Sequence, residues 1–213
     1  TNFFRDPGAF AEMRKKILPE MLAGIPDGNA VRVWVPGCST GEEPYSIAIM
    51  LQEAMEEAQR HFHVQIFGTD LDPDAIDVAR AGFYPESIVA DLGIERIKRY
   101  FIQGDDGRYR VSKLIREMLI FAQHNVIKDP PFTKLDLLCC RNLLIYLDAE
   151  LQKRLLPLFH YTLRSGGILF LGSSETIGSS TQLFTVLDKK WKIYRSNPKG
   201  TAERRSTDFS APP

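Results

Sequence analysis

Residues Val31 to Met50 read VRVWVPGCSTGEEPYSIAIM. Val31, Val33 and Val35 alternate as a strand does, Gly37 and Gly41 free the backbone for a sharp turn, and Pro44 stands where a first helical turn tolerates a missing N–H. Ala48, Leu51, Met55 and Ala58 then follow at helical spacing. A strand running through a glycine turn into a helix is the place where α/β folds bind nucleotides. The turn departs from the phosphate-cradling pattern G-x-x-x-x-G-K-[ST], because no Lys follows Gly41 and Glu42 and Glu43 take the place of a phosphate. Carboxylates there argue for a ligand without phosphates.

Outward from this unit the alternation continues. HVQIFGTD (63–70) reads as a second strand ending in a carboxylate, and Pro73 and Asp74 open a helix that Gly82 stops. Upstream, Phe10 to Ala23 reads as one helix with Met13, Ile17 and Met21 on a face. The polar opening TNFFRDP carries two adjacent phenylalanines that need cover, so it is expected to pack across another part of the protein. Tyr100–Gln103 and Arg108–Ser112 flank an Asp106-Gly107 turn and read as a hairpin, which places an inserted β subdomain over 84–117. Met118–His124 and Leu135–Cys140 resume the sheet, the latter apolar enough to be covered on both faces. Asp148–Leu163 reads as a helix ended by Gly166-Gly167, followed by strand Ile168–Gly172 and an edge strand at Lys190–Tyr194. The expected architecture is therefore one α/β domain over 1–196, a mostly parallel sheet with helices on both faces. A Ser-, Pro- and charge-rich segment over 197–213 is expected to be a disordered tail or linker.

Size and composition fit that scheme. The 213 residues are 44% hydrophobic, enough for one domain with a full core. Lys+Arg and Asp+Glu number 27 each, so the overall charge offers no attraction to nucleic acid or an anionic membrane. Three cysteines, Cys38, Cys139 and Cys140, form neither a disulfide framework nor a zinc-ligand pattern, which points to a reducing, cytoplasmic setting and no metal. The N-terminus lacks a signal-peptide pattern and no apolar run suffices to span a bilayer. The four histidines are scattered and receive no role.

In an open parallel sheet the ligand lies beyond the carboxyl ends of the strands. The loops expected there hold Gly37–Glu43, Asp70-Leu71-Asp72, Asn125-Val126 and Cys140-Arg141-Asn142-Leu143. Asp70 stands where a Rossmann-like site places an acceptor for a ribose diol, with a plain helix N-cap as the competing role. Asp72, before Pro73, reads first as a cap.

The blocks GCSTGEEPYSIAI, GTDLD followed by ARAGFY, CRNLLIYLD and GGILFLGSSETIG, together with TNFFRDP, resemble in order the motifs of CheR-type chemotaxis receptor methyltransferases. These are S-adenosylmethionine-dependent protein-glutamate O-methyltransferases, and the resemblance is to their C-terminal catalytic domain. It implies a class I methyltransferase sheet with an antiparallel C-terminal edge strand and a small inserted β subdomain. It also implies S-adenosyl-L-methionine as cofactor, S-adenosyl-L-homocysteine as product, and a chemoreceptor signalling region or similar protein as substrate. Family members carry a helical N-terminal domain, and this chain is expected to begin where such a domain ends, as one module among other domains of a longer chain.

By the same resemblance Thr1 and Arg5 reach over the cofactor, Gly37 and Glu43 meet it at the turn, and Asp70 holds the ribose. Glu43 is favoured over Glu42. Asn125 and Val126 flank the adenine, while Cys140, Arg141 and Asn142 line the remaining wall, the cysteine through its backbone. A substrate carboxylate is ionised at neutral pH and needs no general base, so positioning carries the reaction. Arg5, a fork of donors, and Tyr146, a single donor, are the expected catalytic groups. For each there is a plainer role, a surface ion pair for Arg5 and a core aromatic for Tyr146. The competing function is a cofactor-binding module of a signalling protein without turnover. A nucleic-acid or small-molecule methyltransferase fits less well, given the neutral charge and no N/D-P-P-Y/F motif after LDLLCC. A dehydrogenase fits worse still, because GCSTGEE departs from G-x-G-x-x-G.

Overall fold

The computed structural model describes residues 1–26 and 28–199. In chain order the elements are α1 (Pro7–Glu12), a π-helical turn (Met13–Ile17), α2 (Leu18–Ala23), β1 (Val31–Pro36), α3 (Glu42–Ala58), β2 (Val64–Asp70) and α4 (Pro73–Ala81). Next come β3 (Phe83–Tyr84), α5 (Val89–Tyr100), β4 (Phe101–Gln103), β5 (Tyr109–Val111), α6 (Lys113–Arg116) and β6 (Leu119–Gln123). β7 (Leu135–Cys140), α7 (Ala149–Thr162), β8 (Leu163–Leu171), β9 (Phe184–Asp188) and β10 (Ile193–Ser196) complete the order.

Among the described residues seven strands form one sheet in the order β6-β2-β1-β7-β8-β10-β9. β6, β2, β1, β7 and β8 are mutually parallel, and β10 runs antiparallel to both β8 and β9. Strand order reverses between β1 and β7, which creates the crevice where such sheets bind ligands. The two faces are packed by residue parity. Val33, Val35, Leu137, Cys139 and Phe170 pack toward α1–α3, whereas Trp34, Leu138, Cys140, Leu169 and Leu171 pack toward α7. β7 is buried at every position, as a central parallel strand must be.

The inserted segment forms a separate antiparallel sheet, β3-β5-β4, with α5 between its first two strands in sequence. It is joined to the N-terminus by aromatic packing: Phe3 lies edge-on to Tyr84 and Phe101 at 4.9 and 5.7 Å.

Several details depart from the sequence expectation. The first helix begins at Pro7 rather than Phe10 and widens into a π-turn over Met13–Ile17. Pro19 has no N–H to bond one turn back, so a single regular ladder could not continue through it. Gly166-Gly167 do not end α7, which stops at Thr162; they lie inside β8, where the register with β7 shifts. A Cβ on Gly167 would stand 3.0 Å from the Leu135 carbonyl, so the pair serves a close strand approach. The antiparallel strand expected at Lys190–Tyr194 begins at Ile193 and lies one place in from the edge, because β9, not foreseen in the sequence, pairs outside it. Of the expected tail, residues 200–213 lie outside the described residues, while Asn197 bonds Leu183, Gln182 and Thr185.

Candidate functional site

The turn after β1 is shaped by what crowds it. Gly41 has φ +95°, and a Cβ there would sit 2.8 Å from the Ala79 Cβ and 3.0 Å from the Tyr84 hydroxyl, so only glycine fits. The Cys38 N–H donates to the Thr69 carbonyl at 2.9 Å, which ties the turn to the end of β2. Asp70, the last residue of β2, accepts the Ser39 N–H at 2.7 Å on Oδ2 and the Asp72 N–H at 3.1 Å on Oδ1. One bond to each oxygen fixes the carboxylate and leaves further acceptor capacity on both. The helix cap belongs to Asp72, whose Oδ1 accepts the Asp74 N–H at 2.9 Å.

The two turn glutamates point different ways. Glu42 accepts the Thr40 hydroxyl within its own turn, while Glu43 reaches inward to the end of β7. There Arg141 donates to Glu43 at 3.1 Å and to Asp6 at 2.7 Å, and the Cys139 thiol donates to Glu43 at 3.3 Å. Burial pushes the Glu43 carboxyl above its usual range, and the Arg141 charge opposes that rise. Burial raises the Cys139 and Cys140 thiols well above their usual value, so both stay protonated. The Arg141 guanidinium also lies over the rings of Phe170 and Phe10, at 4.8 and 5.2 Å. Among the described residues its Nε is buried with no hydrogen-bond partner.

The N-terminal strap closes the top. Phe3 and Phe4 are buried, the Phe4 N–H donates to the Ser46 hydroxyl at 2.9 Å, and Arg96 stacks on Phe4 at 3.8 Å. Anchored on these rings, and on the Asp6–Arg141 ion pair, the strap presents Thr1, Asn2 and Arg5 to the carboxyl edge of the sheet.

These loops enclose an open cavity of roughly 340 Å³, within the size range of small-ligand sites. Thr1, Arg5, Gly37, Glu43, Asp70, Val126, Arg141, Asn142 and Tyr146 all line it. Two expected residues have no side chain on its wall, although for Cys140 the expected contact was through the backbone. The Cys140 side chain is buried on the α7 face with Trp34 and Leu138. Asn125 turns its amide oxygen onto the Ile127 and Lys128 N–H groups at 2.9 and 3.2 Å, which presents Val126 to the cavity instead.

His124, which received no role from the sequence, lies on the same wall, as does Leu71 of the expected Asp70-Leu71-Asp72 loop. His124 Nε2 meets the Pro130 carbonyl at 3.1 Å, the ring lies edge-on to Trp34, and Nδ1 is buried without a partner among the described residues. The signal available was position: His124 follows β6 at the carboxyl edge, as Leu71 follows β2. The cavity thus combines spare acceptors on Asp70, the Arg5 guanidinium, and apolar wall from Val126, Leu71 and Leu143. That mixture suits a nucleoside carrying both charged groups and an aromatic base.

A model of the family described as CheR methyltransferase, SAM binding domain, matches residues 1–193. The chain belongs to this family. Its cofactor is accordingly S-adenosylmethionine, and the cavity's donor and acceptor set fits that molecule. The chain is 41% identical along its whole length to an uncharacterized 104.1 kDa protein of Rhodobacter capsulatus, spanning 22% of that protein. It is 35% identical to a chemotaxis protein methyltransferase of Borreliella burgdorferi, over 90% of this chain and 69% of that one. It is likewise 35% identical to chemotaxis protein methyltransferase 1 of Pseudomonas aeruginosa, over 84% of this chain and 66% of the relative. Among solved structures, the rRNA methyltransferase AviRa of Streptomyces viridochromogenes superposes with a TM-score of 0.51 at 13% identity, covering 86% of this chain and 83% of that one. At that identity the likeness concerns the fold, a class I methyltransferase sheet. Among the described residues no helix of this CheR domain is long and apolar enough to cross a membrane.

Proposed function

We propose that this CheR domain transfers a methyl group from S-adenosylmethionine to glutamate side chains of a chemoreceptor or related signalling protein, giving glutamate methyl esters. The observation that carries the reading is an unpaired cation and an unpaired hydroxyl at the cavity mouth. Arg5 and Tyr146 both line the cavity, and among the described residues neither side chain has an ion-pair or hydrogen-bond partner. Tyr146 is 80% exposed, which makes it available to an incoming protein rather than to the core. The interior charges are different, since Arg141 is already engaged by both Glu43 and Asp6.

In this reading Asp70 holds the ribose through its spare acceptor capacity, Glu43 and Arg141 meet the charged amino-acid end, and Val126 packs on the base. Thr1 and Asn142 close the remaining wall. The bound cofactor supplies an electrophilic methyl carbon on a cationic sulfur, which a carboxylate oxygen can attack directly. Arg5 orients that carboxylate with two donors, and Tyr146 adds one more. Neither is asked to move a proton, because the substrate is already ionised. Holding the reacting atoms in line and excluding water is the whole contribution of the protein.

The test is transfer of radiolabelled methyl from S-adenosylmethionine onto a receptor signalling fragment. Label that is released by mild base supports a methyl ester; base-stable label, or none, contradicts it. Tyr146→Phe should lower turnover about tenfold while keeping affinity for S-adenosylhomocysteine, the loss expected for one hydrogen bond to a charged group. Arg5→Ala should lower both, since that residue overhangs the cofactor as well. Equal loss of cofactor binding in the two variants would reject this division of roles.

A further inference from the structure

Glu175 does not line the cavity, yet its carboxylate gathers four backbone N–H groups from two loops. Oε2 accepts from Gly172 at 2.7 Å and Asn142 at 3.0 Å, and Oε1 accepts from Leu143 at 2.9 Å and Leu144 at 2.7 Å. The residue is only 3% exposed. Three of the donors are consecutive, at a kink where Asn142 has φ +59°. Successive amides in such a turn converge to form an anion-binding concavity, and here the chain fills it with its own carboxylate.

The fit is tight on both sides. A Cβ on Gly172 would stand 2.8 Å from Glu175 Oε2 and 3.0 Å from the Asn142 nitrogen. Glycine at 172 therefore lets the loop after β8 touch the loop after β7, with the carboxylate as the joint. The second loop is the one that brings Arg141, Asn142, Leu143 and Tyr146 to the cavity. Arg141 has its own anchors in Glu43 and Asp6, but the backbone from Asn142 to Leu144 has Glu175 as its acceptor. Without it those amides would be buried unsatisfied or the loop would open to water.

We infer that Glu175 is a positioning residue for methyl transfer: its carboxylate clamps the Arg141–Tyr146 loop so that Asn142 and Tyr146 hold a fixed place over the cavity. The catalytic half of this inference rests on the function proposed above; the clamp itself does not. Because each carboxylate oxygen accepts two N–H groups, Glu175→Gln must face two of the four donors with an NH2 group, whichever way the amide turns. Glu175→Asp keeps the charge and shortens the reach by one methylene.

The experiment combines hydrogen exchange with steady-state kinetics on the same proteins. In Glu175→Gln, amides over 141–147 should exchange about ten- to thirtyfold faster, the effect of losing two hydrogen bonds, with Val31–Pro36 unchanged. Turnover should fall by a similar factor while affinity for S-adenosylhomocysteine changes less than threefold, because Asp70 and Glu43 sit on other loops and Arg141 keeps its own anchors in Glu43 and Asp6. Glu175→Asp should lie between wild type and Glu175→Gln, and it carries the test should the amide variant not fold. Unchanged exchange over 141–147 would overturn the clamp. Faster exchange with full turnover, or turnover falling only in step with cofactor affinity, would overturn the positioning role. A wild type that shows the exchange pattern but transfers no methyl would leave the clamp standing and contradict the proposed function.

Discussion

At the amino end of β7, Asp136 accepts the Arg32 N–H at 2.8 Å and the Arg164 guanidinium at 3.0 Å; at the carboxyl end, Arg141 binds Glu43 at 3.1 Å and Asp6 at 2.7 Å. Both ends thus hold a buried acid and an arginine, and burial pushes the carboxyls of Asp136 and Glu43 upward alike. A shifted acid does not by itself mark a functional site. The difference lies in what is left over. The Arg164 side chain is 37% exposed, so its free donors reach water, whereas that of Arg141 is 1% exposed and keeps an unpartnered Nε beside a cavity. The amino end joins strands and borders a groove of its own; the carboxyl end shuts its charges away from water at the point where strand order reverses, beside the cavity whose open acceptors are on Asp70.

Removing the cation at the carboxyl end should have the largest effect. Arg141→Met leaves Glu43 buried without its counter-charge and frees Asp6, so a stability loss of about 3–5 kcal/mol is expected in denaturant melts. Retention of full stability would mean that the strap and β7 are not coupled through this pair. Asp136→Asn should cost less, about 1–2 kcal/mol, because Arg164 can turn to solvent. Calorimetry should find its affinity for S-adenosylhomocysteine unchanged. An equal loss of affinity at the two ends would erase the distinction between them.

The smallest effect concerns pH. A carboxyl whose folded-state value is raised binds its proton more tightly in the folded chain than in the unfolded one. Glu43 therefore favours folding most at low pH, and that contribution fades as pH climbs from about 4.5 through the raised value. Glu43→Gln removes the titration, so its melting temperature should decline less steeply over this window than that of wild type. A steeper decline would mean that Arg141 outweighs burial and holds the carboxyl below its usual range.

Local chemistry explains what the sequence disclosed. The valine alternation of β1, the glycine turn, and Asp70 at the end of β2 are each written within a few residues, and their positions in the sheet follow from strand order. Asp6 and Arg141 are 135 residues apart, and Glu175 reaches Asn142 across 33; such contacts depend on how β7 and β8 come into register, which no short window encodes. Asn125 misled because a loop asparagine at the carboxyl edge reads equally as ligand contact and turn former, and here the turn wins. Gly166-Gly167 misled for a similar reason: a glycine pair after a helical pattern suits a helix end as well as a strand irregularity. β9 escaped notice because it is a short outer strand whose middle residues are exposed, leaving little hydrophobic alternation to read.

The cofactor should bind at the carboxyl edge of this sheet and nowhere else on the chain. Titration calorimetry with S-adenosylhomocysteine on wild type and Asp70→Ala tests it most directly. We expect saturable one-to-one binding in the wild type and at least about a hundredfold loss in Asp70→Ala, the size of effect expected when two hydrogen bonds to a charged group are removed. Undiminished affinity in a folded Asp70→Ala would contradict the claim.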